Sequence, residues 1–96
     1  VPTGAGLSSS AALETAVGLA LSEISGAAVD RKTLALVGQQ TEHEFVGAKV
    51  GIMDQFVSAH AKKGCALLLD CRSLEFENVP LDTTDALVVI CDTNVK

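Results

Sequence analysis

The stretch VPTGAGLSSSAALETAVGLALSEISG, residues 1–26, sets the reading of the whole chain. It opens with two glycines and three consecutive serines, then changes character. Leu13, Val17, Ala20, Leu21 and Ile24 recur at spacings of three and four, which predicts an amphipathic helix from about Ser9 to Ser25. Gly26 is placed to close it. The serines stand at its N-terminus, where hydroxyls cap free N–H groups. Ahead of the helix, Gly4 and Gly6 let the backbone turn sharply and approach a ligand closely. The helix start adds unpaired N–H groups and the positive end of its dipole. Together these make a site for a small anion, most naturally phosphate. Ser8, Ser9 and Ser10 add hydroxyls that can donate to phosphate oxygens or ligate a hard cation. A plain glycine turn with a serine cap is the competing reading. The stretch is not a Walker A loop, because it has no Gly-Lys-Ser/Thr. It is a poor dinucleotide fingerprint, with Ser9 in place of the third glycine, and it contains no GxSxG elbow.

Beyond residue 26, Asp30 reads as the N-cap of a second helix, DRKTLALVGQQTEHEFVG, ending near Val46 or Gly47. Its apolar stripe is Leu34, Val37, Thr41 and Phe45. GIMDQFVSAH, residues 51–60, is a shorter helical or irregular piece. Then the period changes. Cys65 to Leu69 reads as a buried strand, residues 75–79 as a weaker edge strand, and Ala86 to Cys91 as a second buried strand. Helices followed by strands predict an α+β fold, two helices packed on one face of a mainly antiparallel sheet.

Composition narrows the partners. Seven Lys and Arg against twelve Asp and Glu leave a net charge of −5 across 96 residues. That balance argues against nucleic acid or an anionic membrane surface. Any bound anion must be held by local geometry or a metal. With no Trp or Tyr and only Phe45, Phe56 and Phe76, the chain offers little platform for stacking bases or sugars. Cys65, Cys71 and Cys91 are odd in number and lack CxxC spacing, so they are expected as reduced, mostly buried thiols of a cytosolic protein. No apolar run reaches transmembrane length. The chain enters directly into a motif at Val1 and stops just after an apolar run, and is expected to be a piece of a longer protein.

A second constellation lies in QQTEHEFVGAKVGIMDQF. Glu42, His43 and Glu44 could be a solvated face, and Asp54, among apolar neighbours, a helix cap. Spacing suggests more. From Ser10 to the end of the first helix is about 21 Å, and from Asp30 back to Glu42 about 18 Å. In an antiparallel helix hairpin, Glu42 returns to the level of the serine loop. Mg²⁺ held by Ser10 and Glu42 would there bridge bound phosphates. Asp54 could face a substrate hydroxyl in line with the terminal phosphate, and these are the parts of phosphoryl transfer.

These residues resemble the GHMP small-molecule kinase superfamily, and within it the galactokinase branch. VPTGAGLSSSAALE is similar to the superfamily's P-x-x-x-G-L-x-S-S-A motif, while EHEFVG, GIMDQF and ALLLDCRSL resemble the narrower branch. The resemblance runs from Val1 through about Leu81, and ICDTNVK also looks like the family. It implies a partial GHMP-kinase N-terminal domain over residues 1–96, of the ribosomal protein S5 domain 2-like fold. It implies that Gly4, Ala5, Gly6, Leu7, Ser8, Ser9 and Ser10 wrap the ATP phosphates and that Ser10 and Glu42 ligate Mg²⁺. Asp54 would accept the proton of the sugar's anomeric hydroxyl, with Gly51 and Asp54 against the sugar. The implied reaction is ATP plus galactose giving galactose 1-phosphate and ADP, in a cytoplasmic protein that is monomeric when whole. Cys65 stands where the family often has His, and Ala61 where Gly is common. An Arg near the transferred phosphate and a later glycine-rich motif belong to the family but not to these residues. A non-catalytic sugar and ATP sensor, or a kinase for N-acetylgalactosamine or arabinose, are the alternatives. The 96 residues alone are expected to be inactive, with open sheet edges that favour aggregation.

Overall fold

The computed structural model describes residues 1–95. Helix α1 (Ser9–Ser25) ends at Gly26, whose left-handed φ of 72° turns the chain away. Asp30 caps α2 (Arg31–Thr41), its side chain accepting from the Thr33 N–H at 2.7 Å. The chain then passes without a break into a π-helical turn (Glu42–Val46), ended by Gly47 at φ 79°. A loop leads to α3 (Met53–His60), followed by β1 (Cys65–Leu69) and β2 (Phe76–Pro80). The strands pair antiparallel in a register that sets Leu67 opposite Asn78. The turn between them is held by Asp70, whose Oδ1 accepts from the Arg72 and Ser73 N–H groups. The class is the expected α+β, realised as three helices and a two-stranded antiparallel sheet.

The core lies where α2, α3 and the sheet meet. Ala35, Ile52, Phe56 and Ala59 are buried, and Leu67, Leu69 and Leu74 pack against them. Phe56 is the anchor: it stacks on His60 with ring centroids 4.0 Å apart and meets Phe76 edge-on at 5.3 Å. Two contacts pin α2, one to α3 and one to the loop before it. Arg31 donates to the Ala59 carbonyl at 3.0 Å at one end. Gln39 donates to the Val50 carbonyl at 3.2 Å near the other. It is α3, rather than the two longer helices, that carries most of the apolar surface facing the sheet.

Several expectations are corrected here. The apolar stripe of α1 does not face inward: Leu13, Val17, Leu21 and Ile24 are exposed, while Ala11, Thr15 and Ser22 are buried. Helix–helix contact is made through small residues instead. The bare Gly18 leaves room for the Leu34 side chain of α2, whose Cδ2 would stand 3.0 Å from a Cβ there. On α2, Leu34 is buried but Val37 and Phe45 are not. Strand β1 is half-buried in alternation, with one face toward α3, rather than enclosed on both faces. Ala86 to Cys91 forms no strand; Leu87, Val88, Val89 and Ile90 are all exposed, because no strand among the described residues pairs with that segment. The cysteines are free, as expected, but not buried: Cys71 and Cys91 are exposed and Cys65 is partly so.

Candidate phosphate and metal site

The loop before α1 turns by alternating handedness. Gly4, Gly6 and Ser8 have φ values of 66°, 71° and 59°, so every second residue is left-handed. Such alternation gathers successive N–H groups on one concave side, which attracts anions. Gly6 is needed for this conformation and not for space, since a Cβ there would touch nothing within 4 Å. Ser8 is the N-cap of α1, yet its hydroxyl makes no capping hydrogen bond. That corrects the expected serine cap: the first-turn N–H groups are not consumed by the Ser8 side chain. A serine in left-handed backbone is uncommon and carries strain, a feature that gathers at functional sites.

The geometry inferred from helix lengths holds. A cavity of about 280 Å³ is lined by Gly4, Gly6, Leu7, Ser8, Ser9, Ser10 and Ala11 from the loop and α1, and by Glu42, Val50, Asp54 and Gln55 from the other side. Ser9 and Ser10 also border a neighbouring hollow of about 440 Å³ formed with Val1, Thr3, Ala12 and Leu13. Of the residues singled out in the sequence, Ala5 and Gly51 do not line the cavity. Ala5 is half-buried in the loop, and Gly51 is exposed with open space around its Cα. Asp54 lies in the first turn of α3, its exposed carboxylate near the positive end of that helix. It is not the cap, a position held by Ile52.

Glu42 is only 5 % exposed. It stands at the junction of α2 and the π turn, where the wider winding redirects side chains; such turns recur at functional sites. The following loop is tied back to this turn. The Gly47 and Ala48 N–H groups both donate to the Glu42 carbonyl. His43 Nε2 lies 2.8 Å from the Val50 carbonyl, which assigns that nitrogen as the protonated donor. His43 and Gln39 thus both hold Val50 at the cavity wall, a role that reading His43 as a solvated face had missed.

Two further polar residues were not singled out in the sequence. Gln55 is 2 % exposed and lines the cavity beside Asp54. Glu14 lies behind the cavity, among the small residues where α1 meets α2. Burial pushes its carboxyl up to about 7, and the neighbouring Glu42 carboxyl pushes the same way, while the Gln55 amide opposes both. One oxygen of each remains orphaned: Glu14 Oε2 and Gln55 Oε1 are sealed from solvent without a hydrogen-bond partner. Glu14 interrupts an apolar helix pattern, and that is the one signal by which the sequence marks it.

The donors around the cavity are all hard oxygens, from serine hydroxyls and the carboxylates of Glu42 and Asp54, with no His or Cys lining it. That set suits Mg²⁺. Among the described residues, no group of three or more His, Cys, Asp or Glu could hold an ion unaided. The cation these residues fit is one that completes its shell with phosphate oxygens and water. No helix among the described residues is long and apolar enough to cross a membrane.

Residues 1–62 match the family described as GHMP kinases N terminal domain. Over all 96 residues the chain is 50% identical to a galactokinase of Chloroflexus aurantiacus, of whose length it spans 24%. The crystal structure of Lactococcus lactis galactokinase complexed with galactose matches 88% of the chain with a TM-score of 0.84 and 41% identity, over 22% of that protein. The chain therefore spans about a quarter of the length of the curated relative it matches.

Proposed function

The chain belongs to the GHMP kinase N-terminal domain family, and on that premise we propose that its protein is a galactokinase, transferring the terminal phosphoryl group of ATP to the anomeric hydroxyl of galactose. The observation that carries this reading is that one cavity joins the left-handed glycine–serine loop, Glu42 and Asp54, in a chain similar to two galactokinases.

In this reading residues 4–10 and the start of α1 cradle the ATP phosphates, with backbone N–H groups meeting negative oxygens. Ser10 and Glu42 would hold Mg²⁺, and that ion would supply charge neutralisation on the phosphates. Asp54 accepts the proton as the sugar oxygen forms its bond to phosphorus and the bond from phosphorus to the ADP oxygen breaks. Gly51, on the loop just before α3, leaves room for the sugar to approach the Asp54 carboxylate. A cytoplasmic, monomeric enzyme with ATP and galactose as its small-molecule partners is the corresponding expectation for the whole protein.

The test is ADP release by the intact protein with ATP and Mg²⁺, with galactose, N-acetylgalactosamine and arabinose in parallel. Turnover with galactose is expected, and Asp54→Asn should lower kcat by roughly 10²–10⁴-fold with ATP affinity unchanged, the range for loss of a general base. Binding of ATP and galactose without turnover would favour a sensor. Near-normal kcat in Asp54→Asn would refute the assignment of Asp54 as base.

A further inference from the structure

Three helices each send one polar side chain to a single buried point behind the cavity. Glu14 comes from α1, Glu42 from the end of α2 and Gln55 from α3. Glu42 and Gln55 line the cavity, and Glu14 does not; it borders the groove between α1 and α2 instead. Putting two carboxyls together in a buried place is costly for folding. A leucine at position 14, between Leu13 and Val17, would suit the helix pattern better. The fit around the cluster is nevertheless close. Gly38 of α2 faces it with no room for a side chain: a Cβ there would stand 2.9 Å from Gln55 Cγ and 3.3 Å from Glu14 Oε2. The carboxyl of Glu14 thus faces Gly38, Gln55 and Glu42.

We propose that Glu14 is a positioning residue: it fixes the direction of the Glu42 carboxylate toward the phosphate cavity, and Gln55 and the bare backbone of Gly38 hold it in place. Glu42 needs such support. It stands at the end of its own helix, where α-helical winding gives way to a π turn. The partner across the α1–α2 contact supplies the missing constraint. This inference rests on the reading of Glu42 as a cation ligand.

The experiment measures Mn²⁺ binding to the complex of the intact protein with ATP, by electron paramagnetic resonance, beside the affinity for metal-free ATP. Glu14→Leu should weaken Mn²⁺ binding by about 10- to 100-fold, the usual cost of losing a group that orients a metal ligand, with metal-free ATP affinity and helix content unchanged. Glu14→Gln, which keeps the shape and a polar contact to Glu42, should bind Mn²⁺ like the unaltered protein. Gly38→Ala alters no ligand or acidic group but pushes a methyl into Gln55, and should weaken Mn²⁺ binding in the same direction. If Glu14→Leu does not fold, Gly38→Ala decides alone. Unchanged Mn²⁺ affinity in these variants overturns the proposal, and so does an equal loss in Glu14→Gln and Glu14→Leu. If the unaltered protein does not bind Mn²⁺ with ATP, the reading of Glu42 as a ligand fails, and the proposal with it.

Discussion

Gly6 and Ser8 carry the sharpest demands on single residues. Both are left-handed, but only glycine takes that conformation without steric cost. Gly6→Ala meets no neighbour, so its whole effect is backbone strain of about 1–2 kcal/mol. Concentrated in the loop that would hold phosphate, that strain should weaken ATP binding by roughly tenfold, with unfolding of α2 and α3 unaffected; isothermal titration beside thermal unfolding reads both. Asp54 and Glu42 were visible as residues in the sequence because each is an acid among apolar or helical neighbours. Glu14 and Gln55 were not, because their importance comes from facing each other across helices. Thirteen positions separate Gln55 from Glu42, and no local pattern encodes that encounter.

At the scale of elements, α2 depends on its cap and α3 on its aromatic anchor. Asp30 accepts from Thr33, and its carboxyl is held below the ordinary value of 3.8, first by the Thr33 side chain and then by its N–H group. A depressed folded-state pKa stabilises above the ordinary carboxylate range and is lost as pH falls through the lowered value. Helix content at acid pH should therefore drop less steeply in Asp30→Asn, which still caps but does not titrate, and Asp30→Ala should be less stable than either at neutral pH; circular dichroism against pH distinguishes them. Phe56 is 1 % exposed and touches His60 and Phe76. Phe56→Ala should cost about 3–5 kcal/mol in the intact protein, measured by denaturant unfolding, and should loosen α3 and hence Asp54. The Asp30 cap, the Gly26 and Gly47 stops and the place of strand β1 were legible from residue type, whereas the serine cap of α1 was not, the Ser8 hydroxyl making no capping bond. The inward face of α1 was not, because hydrophobic period alone does not say which neighbour a helix meets.

For the molecule as a whole, the unusual property is how much apolar surface stays uncovered. Leu13, Val17 and Leu21 line a groove of about 410 Å³ with Val37 and Thr41, and residues 87–90 add a second apolar stretch. Patches of this kind on a small domain favour association. The 96-residue chain studied alone should self-associate with rising concentration and bind a hydrophobic dye. Leu87→Lys with Val89→Lys should reduce both, as read by sedimentation and dye fluorescence. Dye binding and sedimentation unchanged by concentration or by these substitutions would show that this surface is not adhesive.

By itself the sequence placed α1, the Asp30 cap and the Gly26 and Gly47 stops, because caps, glycines and period are local, and it named the loop, Glu42 and Asp54 through residue types that suit phosphate and metal chemistry. Tertiary structure alone decided which face of α1 is buried, that Ala86 to Cys91 stays unpaired among the described residues, and that Glu14, Gly38 and Gln55 form one joint behind the cavity. The physical reason is common to all three. Burial and side-chain facing depend on what lies across a contact, and the energy of a small backbone approach or a shared buried charge is set by atoms distant in the chain.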